Sequence, residues 1–154
     1  MEEVNRCLCD GNEEDMFVTV YFGVLDLGTG IFSYVNSGHN PPLWCHEGQF
    51  TYMRMEKKNV MLGILEEEQY DEYQLTMAPG DMLYLYTDGV TEAMNEDGAW
   101  YSEQRLLSTL NDGVDKDVHE IIASVRDDVK KHVQDAVQSD DITMLALVYK
   151  GKAK

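Results

Sequence analysis

Strand-like and helix-like hydrophobic patterns divide this chain into three zones. From Met1 to Asp15, Val4 and Leu8 share a face at i, i+4 and predict the tail of a helix, which Asp10-Gly11-Asn12 ends. From Met16 to Thr87 the pattern is that of strands. Met16 to Leu25 is β-rich and apolar on both faces. Asp26-Leu27-Gly28-Thr29-Gly30 follows with two glycines able to take positive φ, and Ile31 to Asn36 reads as the returning strand of a hairpin. Ser37-Gly38-His39-Asn40-Pro41-Pro42 is a loop, because paired prolines suit neither a helix nor a central strand. Leu43 to His46 and Gln49 to Met53 flank Glu47-Gly48 and predict a second hairpin. Glu66 to Glu72 reads as an exposed acidic stretch ahead of Tyr73-Gln74-Leu75. Ala78-Pro79-Gly80-Asp81 has Pro and Gly at the centres of a type II turn that launches Met82 to Tyr86.

From Thr91 to Lys154 the period lengthens. Ser102 can cap a helix through Leu106, Leu107 and Leu110. Val114-Asp115 precedes a second helix with Val118, Ile121, Ile122, Val125, Val129 and Val133 at helical spacing. A last apolar run, Met144 to Tyr149, predicts a closing strand, and Lys150 to Lys154 a polar tail. Many strands, then two amphipathic helices, then one strand is an α+β order, with antiparallel sheets and helices packed on a sheet face.

With 154 residues and 44% hydrophobic content, a single domain spanning 1–154 with one packed core is expected. Twelve basic against 29 acidic residues leave a net charge of −17. That balance argues against nucleic acid and against anionic membranes, both of which attract basic surfaces. It fits an acidic cytoplasmic protein, one that binds cations, or one with a basic partner; solubility alone accounts for it equally. No apolar stretch is long enough to span a bilayer and no signal-peptide pattern opens the chain, so neither is expected. Cys7, Cys9 and Cys45 are odd in number and irregular in spacing, which predicts reduced thiols and neither a disulfide framework nor a zinc site.

The candidate chemistry lies in two aspartate signatures. Thr87-Asp88-Gly89-Val90-Thr91-Glu92-Ala93 directly follows the apolar run Met82 to Tyr86. Ser139-Asp140-Asp141-Ile142-Thr143 directly precedes the run Met144 to Tyr149. Each places carboxylate at the end of what reads as a buried strand. If the two ends are neighbours, the carboxylates repel, and a hard divalent cation such as Mg²⁺ or Mn²⁺ relieves them. A site built from Asp88 and Asp140, with Asp141 beside it, is the first hypothesis. Taken alone, Asp88-Gly89 is equally a turn and Asp140-Asp141 a solvated loop; their pairing favours ligands. His39 is read as ordering the Pro-Pro loop, with Asn36 and Asn40 doing similar turn work. Glu92 either reaches toward the cation or faces solvent, and the stripe from Val118 to Val133 is core.

Several signatures agree in order along the chain: Met16-Phe17-Val18-Thr19, Ser37 to Pro42, Leu62-Gly63-Ile64, Pro79-Gly80-Asp81, Tyr86 to Ala93 and Ser139 to Thr143. Together they resemble the bacterial metal-dependent serine/threonine phosphatases of the PPM (type 2C) class, in the branch that includes stage II sporulation protein E and the sigma-factor regulator phosphatases. The resemblance implies an α-β-β-α sandwich of antiparallel sheets flanked by helices, with two Mn²⁺ or Mg²⁺ ions at one edge. It implies that Asp88 and Asp140 are metal ligands, that Asp141 lines the site or orients a water, and that Gly89 lets the backbone pack beside the ion. Asp88, Asp140 and Asp141 would then be the catalytic group. The implied reaction is hydrolysis of phosphoserine or phosphothreonine by a metal-activated water. The implied substrate is a phosphorylated regulatory protein such as an anti-sigma-factor antagonist.

The family's earlier aspartate–glycine signature, which bridges the two metals, has no counterpart ahead of Met16. The chain is therefore expected to be the C-terminal majority of the domain, without its opening strands and with at best half the ligands. Exposed strand edges and self-association are expected in turn. The alternative is a catalytically incomplete module of the same fold that acts by partner binding.

Overall fold

The computed structural model describes residues 1–53, 55, 57, 59–138 and 140–152. Ser139 of the second signature and the last two residues of the predicted polar tail lie outside the described residues. The chain forms two compact units. One comprises Met1–His39, Arg54–Met77 and Gly151–Lys154, the other Asn40–Met53 and Ala78–Lys150.

In the first unit, strand β1 (Val20–Leu25) pairs antiparallel with β2 (Ile31–Ser37), in the register Val20↔Ser37 to Leu25↔Phe32. The predicted hairpin is present. The Asp26 carboxylate accepts from the Gly28 and Thr29 amides at 2.7 and 3.1 Å, which closes the turn. Of the two glycines there, only Gly30 takes positive φ, at 77°. The strand starts later than expected: Val18 makes only an isolated bridge to Leu62, and Met16 and Phe17 are exposed.

Strand β5 (Tyr73–Thr76) pairs with β2 on its other side, so the three-stranded order is β1-β2-β5. Tyr21, Phe32, Tyr34 and Tyr73 stack across this sheet with neighbouring centroids 5.6–6.4 Å apart. Gly23 makes room for that ladder, since a Cβ there would meet the Phe32 ring at 2.4 Å.

Helix α1 (Glu2–Cys9) corrects one expectation. Val4 and Leu8, the predicted apolar face, are exposed; the fully buried residue is Asn5. Its Oδ1 accepts from the Gly63 amide at 2.9 Å, and its Nδ2 donates to the carbonyl of Leu65 at 2.7 Å. A buried amide satisfied on both ends anchors this helix, with a small cluster of Val35, Leu62 and Tyr70 nearby in the unit.

In the second unit, strands β3 (Leu43–His46) and β4 (Gln49–Tyr52) form the second predicted hairpin. Strands β6 (Met82–Tyr86) and β7 (Met144–Val148) complete an antiparallel sheet of order β4-β3-β6-β7. The turn before β6 is the expected one: the Asp81 amide donates to the Ala78 carbonyl at 3.0 Å, and Gly80 takes φ 103°. The Asp81 side chain is buried and accepts from Trp44 Nε1 (3.1 Å), His46 Nδ1 (3.0 Å) and the Ala78 amide (3.0 Å), which ties the start of β6 to β3.

A single-turn helix, α2 (Asp88–Thr91), follows β6. Helix α3 (Glu103–Asn111) is capped by Ser102, as expected. Helix α4 (Val118–Val133) begins after Val114-Asp115, as expected, and is capped by Asp117 in a reciprocal box with Glu120. Leu106 and Leu110 from α3, and Ile121, Val125 and Val129 from α4, join Leu43, Phe50, Tyr84 and Tyr86 in one buried cluster. Helices thus cover a sheet through their apolar stripes, as the periodicity requires.

Strand β7 is the exception to the buried reading. As the last strand of its sheet it exposes Leu145 (52%) and Leu147 (37%), while β6, paired on both sides, is almost wholly buried.

Candidate metal centre at the ends of β6 and β7

The two aspartate signatures meet because the strands that carry them are neighbours. The β6–β7 ladder ends at Tyr86↔Met144. Beyond it, Thr87 continues the pairing with its side chain. Its amide donates to the Thr143 carbonyl at 3.1 Å, its Oγ1 accepts from the Thr143 amide at 2.9 Å, and the same hydroxyl donates to the Asp141 carbonyl at 2.8 Å.

Gly89 then closes the gap. A Cβ on Gly89 would stand 2.5 Å from the carbonyl oxygen of Asp141 and 3.2 Å from that of Asp140. Its φ is not positive; what requires glycine here is close backbone approach. The signature around Asp88 and the signature around Asp140 are thus in backbone contact, although about fifty residues separate them in the chain.

The carboxylates themselves are exposed at this edge. Asp88 Oδ1 accepts from the Gly89 amide at 3.0 Å and Asp140 Oδ1 from the Asp141 amide at 2.7 Å, both local bonds that leave the second oxygen of each to the outside. The Gln138 amide donates to the Asp140 carbonyl at 2.6 Å and fixes that loop from the helix side. Among the described residues no ion pair involves Asp88, Asp140 or Asp141.

Three uncompensated acids at two joined strand ends match a hard divalent cation in donor chemistry. In number they are few: among the described residues no three His, Cys, Asp or Glu side chains gather closely enough to hold a metal. Two carboxylates suffice where water and substrate oxygens complete an octahedral shell, the common arrangement for Mg²⁺.

Glu92 follows α2 and is exposed. The loop at His39 is held by the Asn36 side chain, the turn role expected of Asn36. The His39 amide donates to Asn36 Oδ1 at 2.8 Å, the His39 carbonyl accepts from Asn36 Nδ2 at 2.9 Å, and His39 Nδ1 lies 3.3 Å from Thr19 Oγ1. Beneath the acids the strand is buried: Tyr84 and Tyr86 are shielded from solvent, and burial pushes the Tyr86 phenol up to about 12.

A second polar group in the same unit carries no sequence signature. Asp128 of α4 accepts from Arg105 Nε (2.8 Å) and Nη2 (2.9 Å), from Tyr101 OH (2.9 Å) and from Thr109 Oγ1 (3.1 Å). The Arg105 guanidinium holds the Asp128 carboxyl well below the usual carboxylate range. Arg105 Nη1 also donates to His132 Nδ1 at 3.0 Å. Since arginine has no acceptor, His132 carries its proton on Nε2 and donates it to the Ala99 carbonyl at 2.9 Å. This network clamps α3 to α4.

A family model for stage II sporulation protein E matches residues 1–150. Protein IcfG of Synechocystis sp. is 33% identical over 132 residues, which cover 86% of this chain and 20% of that protein. The phosphoserine phosphatase RsbU of Bacillus subtilis is 26% identical over 147 residues, covering 96% of this chain and 43% of its own length. The solved phosphatase domain of the cell fate determinant SpoIIE from Bacillus subtilis superposes with a TM-score of 0.67 at 16% identity, over 88% of this chain and 60% of that one. The expected architecture is therefore present: a mixed α/β fold of antiparallel sheets and helices like that of solved type 2C phosphatase domains. The chain spans from a fifth to three fifths of the length of these relatives.

Proposed function

This chain belongs to the stage II sporulation protein E family, and we propose that it carries part of the catalytic centre of a metal-dependent protein serine/threonine phosphatase. The contact of Gly89 with the Asp140–Asp141 backbone is the observation that supports this reading most, because it joins the two acid-bearing strand ends. In this reading residues 1–154 belong to one catalytic domain. Asp88 and Asp140 hold Mn²⁺ or Mg²⁺, and a complete site holds two ions. A bound cation would neutralise phosphate charge and lower the pKa of nearby water. Asp141 borders that water and orients it. Thr87 fixes the Asp141 carbonyl and so the direction in which both acids project. The substrate is a phosphorylated regulatory protein, of the kind that antagonises an anti-sigma factor, and the setting is the cytoplasm. Among the described residues no helix is long and apolar enough to cross a membrane, which is compatible with that setting.

The test is hydrolysis of p-nitrophenyl phosphate with and without Mn²⁺, together with Mn²⁺ binding measured by calorimetry. The Asp88→Asn and Asp140→Asn variants are expected to abolish metal-dependent turnover and to weaken Mn²⁺ binding at least tenfold, roughly the loss of one charged ligand interaction. Mn²⁺ affinity unchanged in both variants would overturn the assignment. A second reading, a catalytically incomplete module that acts through partner binding, is favoured by the absence of a three-ligand cluster among the described residues. It predicts no turnover with either ion.

A further inference from the structure

A groove of about 270 Å³ opens directly beside the acid edge, within the second unit. Its apolar lining includes Met94, Val129, Val133 and Ile142, and two cations, Arg126 and Lys130, stand over it from α4. Both signatures run into it. Ala93 and Met94 continue the chain just past α2, which begins at Asp88. Ile142 directly follows Asp140-Asp141, and Gln138, another lining residue, holds the Asp140 carbonyl. Where α4 ends, Gln134 takes a positive φ of 55°, turning the chain along the groove toward Asp140.

The charge of this groove runs against that of the molecule. In a chain of net charge −17, the lining holds two cations and no acid. Arg126 shares a 3.2 Å pair with its neighbour Asp127, but both side chains are about 60% exposed or more, so that pair is weak and readily exchanged. Lys130 has no ion-pair partner among the described residues. An apolar floor with cations at the rim complements an extended peptide that presents an apolar side chain flanked by carboxylates.

We infer that this groove seats the polypeptide next to the phosphorylated residue of the protein substrate, selecting segments that carry an apolar side chain and acidic neighbours. The inference rests on the phosphatase reading for the identity of its occupant. Arg126 and Lys130 are specificity-determining residues in this arrangement. They meet the flank of the substrate, while a cation held by Asp88 and Asp140 would meet its phosphate.

The probe is a fluorescein-labelled nonapeptide with a central phosphoserine, a leucine two residues away and two flanking glutamates, followed by fluorescence anisotropy with this chain in the presence of Mn²⁺. Combined Arg126→Glu and Lys130→Glu substitution is expected to raise its Kd about tenfold, the sum of two exposed charge pairs. The conservative Lys130→Arg should retain affinity. The reversed variant should instead gain affinity for the same peptide with lysines in place of the glutamates, a swap that a purely structural role for these residues would not produce. Unaltered Kd in the charge-reversed protein, or no binding by the wild-type chain, would overturn the inference. The p-nitrophenyl phosphate assay has no flanking peptide, so its failure counts against the phosphatase reading and leaves the peptide result to judge the groove.

Discussion

Replacing Gly89 with alanine tests whether the two aspartate signatures are held by close packing. The new Cβ would lie 2.5 Å from the Asp141 carbonyl oxygen and 3.0 Å from the Asp141 carbonyl carbon. Ordinary contact is about 3.5 Å, so roughly 1 Å of relief is needed. Neither partner is a flexible side-chain tip; both belong to backbone. That backbone is itself held, since Thr87 Oγ1 donates to the same Asp141 oxygen at 2.8 Å and ties Thr143 at 2.9 Å. Overpacking against a fixed neighbour costs about 1–3 kcal/mol. At about 2–4 °C per kcal/mol for a chain of this size, the melting temperature should fall by several degrees. Mn²⁺ affinity should fall with it, because the displaced segment carries Asp140. Gly113→Ala is the control: its Cβ would meet chiefly the Lys116 side chain, at 3.2 Å, and Gly113 has no positive φ, so the change is expected to be neutral or mildly stabilising. Urea unfolding of both variants, with Mn²⁺ titration, reads the difference. A Gly89→Ala protein as stable as the wild type and equally able to bind Mn²⁺ would refute the reasoning.

Asp128→Asn should destabilise the fold by about 2 kcal/mol at neutral pH, through loss of the charge-assisted bonds to Arg105. Because the folded carboxyl is depressed below its unfolded value, that contribution is present above about pH 4 and fades as pH falls through the lower folded value. Denaturation of the two proteins at pH 7 and pH 3 should therefore show the gap narrowing in acid, and an equal gap at both pH values would contradict it. Asn5→Leu should cost about 2–4 kcal/mol, because the Gly63 amide and the Leu65 carbonyl lose their buried partner. In contrast, Val4→Ser on the exposed face of α1 should stay within about 0.5 kcal/mol by the same urea titration.

What the sequence disclosed and what it hid follow from the range of the interactions. Hairpins, caps and the turn before β6 are local, so residue type and spacing foretold them. The Ser102 cap and the Pro79-Gly80 turn stand where expected. The acid pair was legible because each aspartate sits next to a strand pattern, and the joining ladder follows once β6 and β7 pair. The face of α1 was misread because Asn5 is buried by bonds to residues some sixty positions away, which no periodicity carries. Strand β7 was misread because burial depends on its place in the sheet order, and an apolar run looks the same at an edge as in the middle. The Arg105–Asp128 clamp was hidden for the same reason: four donor atoms of Tyr101, Arg105 and Thr109 converge on one α4 carboxylate only after α3 and α4 have packed.

The site and the fold make opposite demands on the same few residues, and the arrangement separates them by depth. Below the strand ends, Tyr84, Tyr86 and Val90 are buried at 3% exposure or less and give β6 a rigid apolar base. At the ends, three carboxylates remain exposed to solvent, where on the proposed reading a cation would meet them. Between the two layers lie Thr87 and Gly89, one binding the opposite loop with its hydroxyl and the other admitting it by having no side chain. Substitutions in the base should therefore act on stability and those at the acids on cation affinity. The two linking residues should move both quantities together, and Thr87→Val, which removes the hydroxyl while keeping the branched shape, isolates that coupling from any change in packing volume.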